Sequence, residues 1–127
     1  MISMAMNRLK EEIIKCAIGP IVETEPTKVS RRYIFPADFI GFSGHFPGHP
    51  ILPAFAQVMM TLIVLDEWKG RSHDLLSMER AKFRMEIHPG QEISVQCRQL
   101  GQGNAGAFEA RITAAGGLAA SFFVKTI

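Results

Sequence analysis

The segment PAFAQVMMTLIVLDEWKG, Pro53 to Gly70, constrains the fold of this chain more than any other. Proline suits the first turn of a helix and Gly70 is a natural stop, so the segment reads as one helix. Apart from Gln57 and Thr61 it is apolar on every face until Asp66. A helix of that kind is either embedded in a membrane or placed at the centre of a protein. Its longest apolar run, Val58 to Leu65, is far shorter than the roughly 20 residues a membrane span needs. The helix is therefore central, and other elements must surround it.

The last third of the chain supplies the wrapper. Leu75–Ile87, Glu92–Leu100, Ala107–Ala114 and Leu118–Ile127 are four strand-length segments. They are separated by HPGQ, GQGNAG and AAGG, each a glycine-bearing turn of hairpin type. A meander after one buried helix predicts an antiparallel sheet curled round that helix, an α+β architecture. Upstream, Asn7–Ile18 carries Leu9, Ile13, Ile14 and Ala17 at helical spacing, with Asn7 as N-cap and Gly19-Pro20 as the stop. Ile21–Phe35 is β-prone and interrupted by Pro26, which predicts a strand or a kinked hairpin. No repeat or linker divides the 127 residues, so one domain is expected.

Composition narrows the function classes. With 47% hydrophobic and 20% charged residues, the chain is not disordered. A formal net charge of +2 is too small to argue for nucleic acid, and the basic residues are spread out. Arg80, Lys82 and Arg84 alternate as on one solvated strand face. Cys16 and Cys97 lie far apart with no CxxC or Cys/His cluster, so neither a disulfide nor a zinc site is expected from them. The N-terminal MISMAMNRLKEE has no long apolar region. Together these features predict a soluble cytoplasmic protein without a membrane span.

The stretch PADFIGFSGHFPGHPILP, Pro36 to Pro53, is different in kind. It holds four of the seven prolines and three glycines, with aromatics between them. Regular structure is excluded, yet the aromatics exclude a floppy linker, which leaves an ordered loop with a functional reason to be there.

Within it, GHFPGHPILPAF, Gly44 to Phe55, resembles the active-site segment of the bacterial 3-hydroxyacyl-acyl-carrier-protein dehydratases. There a G-H-F-x-G-x-P-x-x-P-G run leads into the central helix of a hotdog fold. ERAKFRMEIHPGQEISVQC, Glu79 to Cys97, resembles the family's following strand pair, with Phe83 as its aromatic and Pro89-Gly90-Gln91 as its turn. The likeness covers nearly the whole chain, and is closest to a small-protein branch with a glutamine shortly after the motif, here Gln57.

The resemblance implies the reversible dehydration of a 3-hydroxyacyl thioester to a trans-2-enoyl thioester. The acyl chain would be carried on the phosphopantetheine of acyl carrier protein or of coenzyme A, with no other cofactor. Such chemistry needs a base for the C2 proton, a donor for the enolate-like oxygen and an acid for the departing 3-hydroxyl. His45 is the candidate base, since an imidazole titrates near neutrality. The Ala54 backbone N–H, at the positive end of the helix, is the candidate donor, although the family has glycine at that position. Phe42, Phe46, Gly48, Pro53, Phe55, Met59 and Phe83 are the candidate acyl-binding residues, and ordinary core is the other reading of the aromatics.

The acid is where the sequence departs. In the family a Glu or Asp sits fourteen residues after the histidine and faces the partner subunit's histidine; here that position is Met59. Asp66 and Glu67 lie roughly 10 Å further along the helix, where solvated carboxylates are ordinary. Gln57 could orient a water or bond the thioester, or be a buried amide satisfied by the loop. Three readings stay open: a dehydratase, a degenerate acyl-binding subunit paired with an acid-bearing homologue, and a thioesterase. A homodimer or dimer of dimers is implied, or a heterodimer in the second case. No metal is expected: His45 and His49 are four apart, but Pro47, Gly48 and Pro50 preclude a helix that would pair them. His73 and His88 read as loop and turn residues without a role.

Overall fold

The computed structural model describes residues 4–42, 48–101 and 106–127. Its elements run α1 (Met4–Lys15), β1 (Ala17–Glu25), β2 (Lys28–Ile34), α2 (Ala54–Lys69), β3 (Leu75–Phe83), β4 (Glu92–Leu100), β5 (Ala107–Ala114) and β6 (Gly117–Thr126). The central helix has the predicted bounds to within one residue, with Gly70 as the predicted stop and Pro53 just before the first turn rather than in it. Pro53 occupies the N-cap in extended conformation, and Gly70 closes the last turn at φ 67°, its N–H donating to the Asp66 carbonyl.

Six antiparallel strands form one sheet in the order β1-β2-β4-β5-β6-β3. β4, β5 and β6 are the predicted meander, and the hairpin from β5 to β6 turns through Ala115 and Gly116, both at positive φ. β3 is not part of it. It pairs with β6 at the far edge, Leu75 opposite Thr126 and Phe83 opposite Ala120, so HPGQ is not a hairpin turn. After Phe83 the chain instead crosses to the middle of the sheet, held by N–H groups of Arg84 and Met85 on the Ala119 carbonyl and of Gly90 on the Phe35 carbonyl.

The first helix also ends earlier than its pattern suggested, at Lys15. Gly19, at φ 70°, and Pro20 lie inside β1, where the register with β2 shifts between Ile18 and Val22. β1 is an edge strand, where a missing N–H and a bulge are both tolerated. Pro26 and Thr27 form the turn of a β1–β2 hairpin.

The core lies between the sheet and one side of α2. Ala56, Met60 and Val64 are fully buried there, as are Val29, Val95, Ile112 and Phe122 from the strands. Each large aliphatic or aromatic side chain so buried contributes about 1.5–3 kcal/mol. The loop after β2 is tied into this core by aromatics: Phe35, Phe39 and Phe42 follow one another at ring separations of 4.6 and 5.6 Å. At Gly41 a Cβ would stand 2.3 Å from the Phe39 ring, which explains the glycine. On its other side α2 is not surrounded. Phe55 is 54% exposed and Val58, Met59 and Leu62 are only partly buried, leaving an apolar face that α1 covers in part. Among the described residues no helix is long and apolar enough to cross a membrane.

Candidate functional site

The N-terminus of α2 opens into a cavity of about 270 Å³. Its walls are Ile51 to Ala54, Gln57, and the run Phe83 to Glu86 from the end of β3 and the crossing connection. Ala54 is the first helical residue, so its N–H has no acceptor within the helix, and Pro53 offers no side-chain cap. The positive end of the helix dipole points the same way.

Gln57 is the buried polar side chain of this cavity, 3% exposed, while Arg84 and Glu86 line its wall as exposed residues. Its Nε2 donates to the Leu52 carbonyl at 3.1 Å, which holds the segment before the helix in place. Its Oε1 finds no donor among the described residues. Half of the amide is therefore satisfied by the loop and half is free for a ligand. Thr61 donates back to the Gln57 carbonyl and is fully buried.

The predicted site residues divide. Pro53, Ala54, Gln57 and Phe83 line this cavity together. Phe55 and Met59 lie on a second cavity of similar volume, about 270 Å³, along the uncovered face of α2. Phe42 lies in the core beside Phe39 and lines neither. Gly48 adopts φ 81°, a conformation that favours glycine. His45 and Phe46 lie outside the described residues.

Asp66 and Glu67 are not freely solvated carboxylates, as their place near the helix end suggested. Asp66 accepts from the His73 backbone N–H at 2.8 Å, contacts its Nδ1 at 2.9 Å and pairs with Lys10 at 3.4 Å. Glu67 pairs with Arg31. The His73 side chain is wholly buried, edge-on to Phe108 with ring centroids 5.8 Å apart. It staples the loop after α2 to the helix. Of the thiols, Cys97 is fully buried, and desolvation pushes its pKa up to about 12. Burial, with Glu12 and Asp38 adding to it, raises that of Cys16 as well.

One grouping had no forerunner in the sequence reading. His49, from the segment before α2, meets Glu86 and His88 of the crossing connection at the rim of the first cavity. The Glu-x-His spacing, two apart as on one face of an extended chain, was the available signal.

An antiparallel sheet curled round one central helix, with a proline- and glycine-rich segment leading into that helix, makes this a hotdog-fold protein. The chain belongs to the ApeI-like dehydratase family, whose profile, described as ApeI dehydratase, matches residues 22–121. It is similar to the 3-hydroxyacyl-[acyl-carrier-protein] dehydratase FabZ of Latilactobacillus sakei, 39% identical over 62 residues, 43% of this chain and 44% of that one. To FabZ of Moorella thermoacetica it is 35% identical over 89 residues, 60% of this chain and 62% of that one. The chain thus spans less than two thirds of the length of these curated relatives. Among solved structures it is similar in fold to the dehydratase heterocomplex ApeI:P from Xenorhabdus doucetiae. The TM-score is 0.76 at 18% identity, over 87% of this chain and 95% of that one.

Proposed function

We propose that the chain processes acyl thioesters, as a dehydratase that converts a 3-hydroxyacyl thioester to the trans-2-enoyl thioester and water. The observation that carries this reading is the uncapped start of α2, which opens into a cavity shared with Gln57 and Phe83. It follows directly on the segment resembling a dehydratase motif.

In this reading the Ala54 N–H donates to the thioester oxygen, where charge develops as the C2 proton leaves. His45, nine residues upstream in the motif, takes that proton. The free Oε1 of Gln57 accepts from the 3-hydroxyl and orients it. The 3-hydroxyl leaves as water with a proton returned by the imidazolium that His45 has become, or relayed from it by a water, since the Gln57 amide has none to give. The substrate is delivered on a phosphopantetheine arm, of acyl carrier protein or of coenzyme A.

Met59 favours a second reading. The residue at the expected acid position is a thioether among Phe55, Val58 and Leu62, on a face of α2 that its own sheet leaves uncovered. A second chain covering this face would complete the helix's surroundings. If that chain were an acid-bearing homologue, the present chain would be the acyl-binding half of a heterodimer, as the similarity to a heterocomplex component also suggests.

The two readings separate in one assay. Hydration of a trans-2-enoyl thioester by the purified protein alone, at high concentration, supports the self-sufficient dehydratase. Hydration only when an acid-bearing homologue is added supports the heterodimer. Hydrolysis of the thioester to free thiol in the same cuvette, without hydration, overturns both in favour of a thioesterase.

A further inference from the structure

We infer that His49, Glu86 and His88 form a binding site for one divalent transition-metal ion of the zinc class, clasping the segment before α2 to the connection from β3 to β4. This goes beyond the proposed activity and does not depend on it.

The donor atoms of the three side chains lie within 4.8 Å of one another. Glu86 Oε2 stands 2.7 Å from His49 Nε2 and 3.6 Å from His88 Nε2. Ligands bound tetrahedrally at about 2.0–2.1 Å are separated from each other by about 3.3 Å. The His88–Glu86 pair is thus near that separation already, and the His49–Glu86 pair has to open by about half an ångström. His49 and Glu86 are both more than half exposed, so neither is restrained from that movement.

A second observation points to a ligand. His88 Nδ1 lies 3.3 Å from the Pro50 carbonyl, which can only accept. A proton on Nδ1 leaves the lone pair on Nε2, the atom facing Glu86 and His49. Fixing the tautomer by a bond from the remote nitrogen to a carbonyl is how metal-binding histidines are ordinarily prepared. His88 is positioned further by its backbone N–H, which donates to Gln91 Oε1 at 2.8 Å.

Two imidazoles and one carboxylate suit zinc, cobalt or nickel, and not magnesium or calcium, which take oxygen donors. Three protein ligands leave a fourth position for water or an anion. The consequence is mechanical as well as chemical. His49 and Pro50 belong to the run that enters α2, while Glu86 and His88 belong to the wall opposite; besides the contacts of these side chains, the Leu52 N–H donates to the Ile87 carbonyl at 2.8 Å across the same gap. An ion here would tie the two sides of the cavity mouth together.

The test uses the tag-free full chain and cobalt as a spectroscopic stand-in for zinc. Titration should give the visible d–d bands of a low-symmetry cobalt site at one equivalent, bleached by zinc and untouched by magnesium. His49→Gln and His88→Gln should each weaken binding by more than the roughly 10–100-fold that loss of an outer partner costs. Zinc at about a hundredfold its dissociation constant should raise the melting temperature of the wild type by several degrees and leave His49→Gln unmoved. Amide exchange should slow at Gly48, His49 and Ile51 and at Met85–His88 together. Absence of a cobalt spectrum at millimolar metal overturns the inference, as does binding that persists in both histidine variants. Because His49 is exposed, circular dichroism of its variant will show a native fold; loss of binding there cannot be put down to unfolding.

Discussion

Met59→Glu tests the proposed chemistry most directly, because it restores a proton donor where the sequence has lost one. Its geometry makes the test sharper. Gln57 and Met59 are two residues apart on a helix, a rotation of about 200°, so Met59 points away from the Ala54 cavity. A carboxyl at this position cannot serve the cavity of its own chain. It can serve the cavity of a second chain packed on the uncovered face of α2, which is where Phe55, Val58 and Leu62 stand ready to be buried. Any gain should therefore depend on association, and should fade on dilution below the dimer's dissociation constant.

The magnitudes follow from the surroundings. A general acid contributes about 10²–10⁴-fold, so a gain of about tenfold is the least that a roughly placed one should give. Met59 is partly buried, so its replacement forfeits about half of the 1.5–3 kcal/mol of a fully buried methionine, roughly 0.8–1.5 kcal/mol. That lowers the melting temperature by about 3–6 °C. The apolar neighbours raise the new carboxyl's pKa and keep it protonated, which suits an acid. The assay is hydration of a trans-2-enoyl thioester, read as loss of the conjugated thioester's absorbance. Met59→Gln is the control, equal in shape but without the proton. Equal rates for the two variants, both folded and dimeric by light scattering, refute the missing-acid account. So does a wild type that already turns over at an ordinary enzymatic rate of about 1–10³ s⁻¹.

His45→Ala should abolish hydration while leaving the melting temperature within a few degrees of the wild type; full activity in this variant would remove His45 from the mechanism. Ala115→Gly relieves a non-glycine residue at φ 50° in the β5–β6 turn and should stabilise the protein by about 0.5–1 kcal/mol in urea unfolding. Cys97 gives a pH effect of defined sign. Its thiol is held neutral in the fold to about pH 12 but ionises near 9 when unfolded, so the unfolded state binds fewer protons between these values. Stability should fall as pH rises from about 9, by up to ~1.4 kcal/mol per unit from this group, and the slope should be shallower in Cys97→Ala.

Much of the fold was legible because local chemistry marks it. Pro53 and Gly70 bracket α2, and β4 and β5 have the bounds their alternation and flanking turns predict. What failed was what local chemistry does not encode. Gly19-Pro20 is a helix stop by composition and a bulge in fact, since only the pairing with β2 reveals an edge strand that can absorb it. The all-round apolarity of α2 implied a wrapper on every side, whereas its own sheet covers one, and a sequence does not say whether cover comes from the same chain. Among the candidate residues, Ala54 and Gln57 could be placed side by side from the sequence because a motif and a helix start share one segment. Glu86 and His88 were passed over because their meeting with His49 depends on where β3 sits.

That placement of β3 explains the site. Had β3 paired with β4, the HPGQ turn would close a hairpin at one end of the sheet, and Arg84 to Glu86 would continue a strand. With β3 beyond β6, the chain leaving Phe83 has to return from the edge to the gap between β2 and β5. It makes that return close to the start of α2, where Ile87 accepts from Leu52 at 2.8 Å and Gly90, at φ 82°, reaches the carbonyl of Phe35. The return path is the cavity's second wall. Without it the uncapped N–H of Ala54 would face open solvent, where water competes for every donor and the helix dipole is weakest. One strand displaced to the edge thus gives the helix terminus an enclosed volume to act in, and sets Glu86 and His88 across from His49 at its mouth.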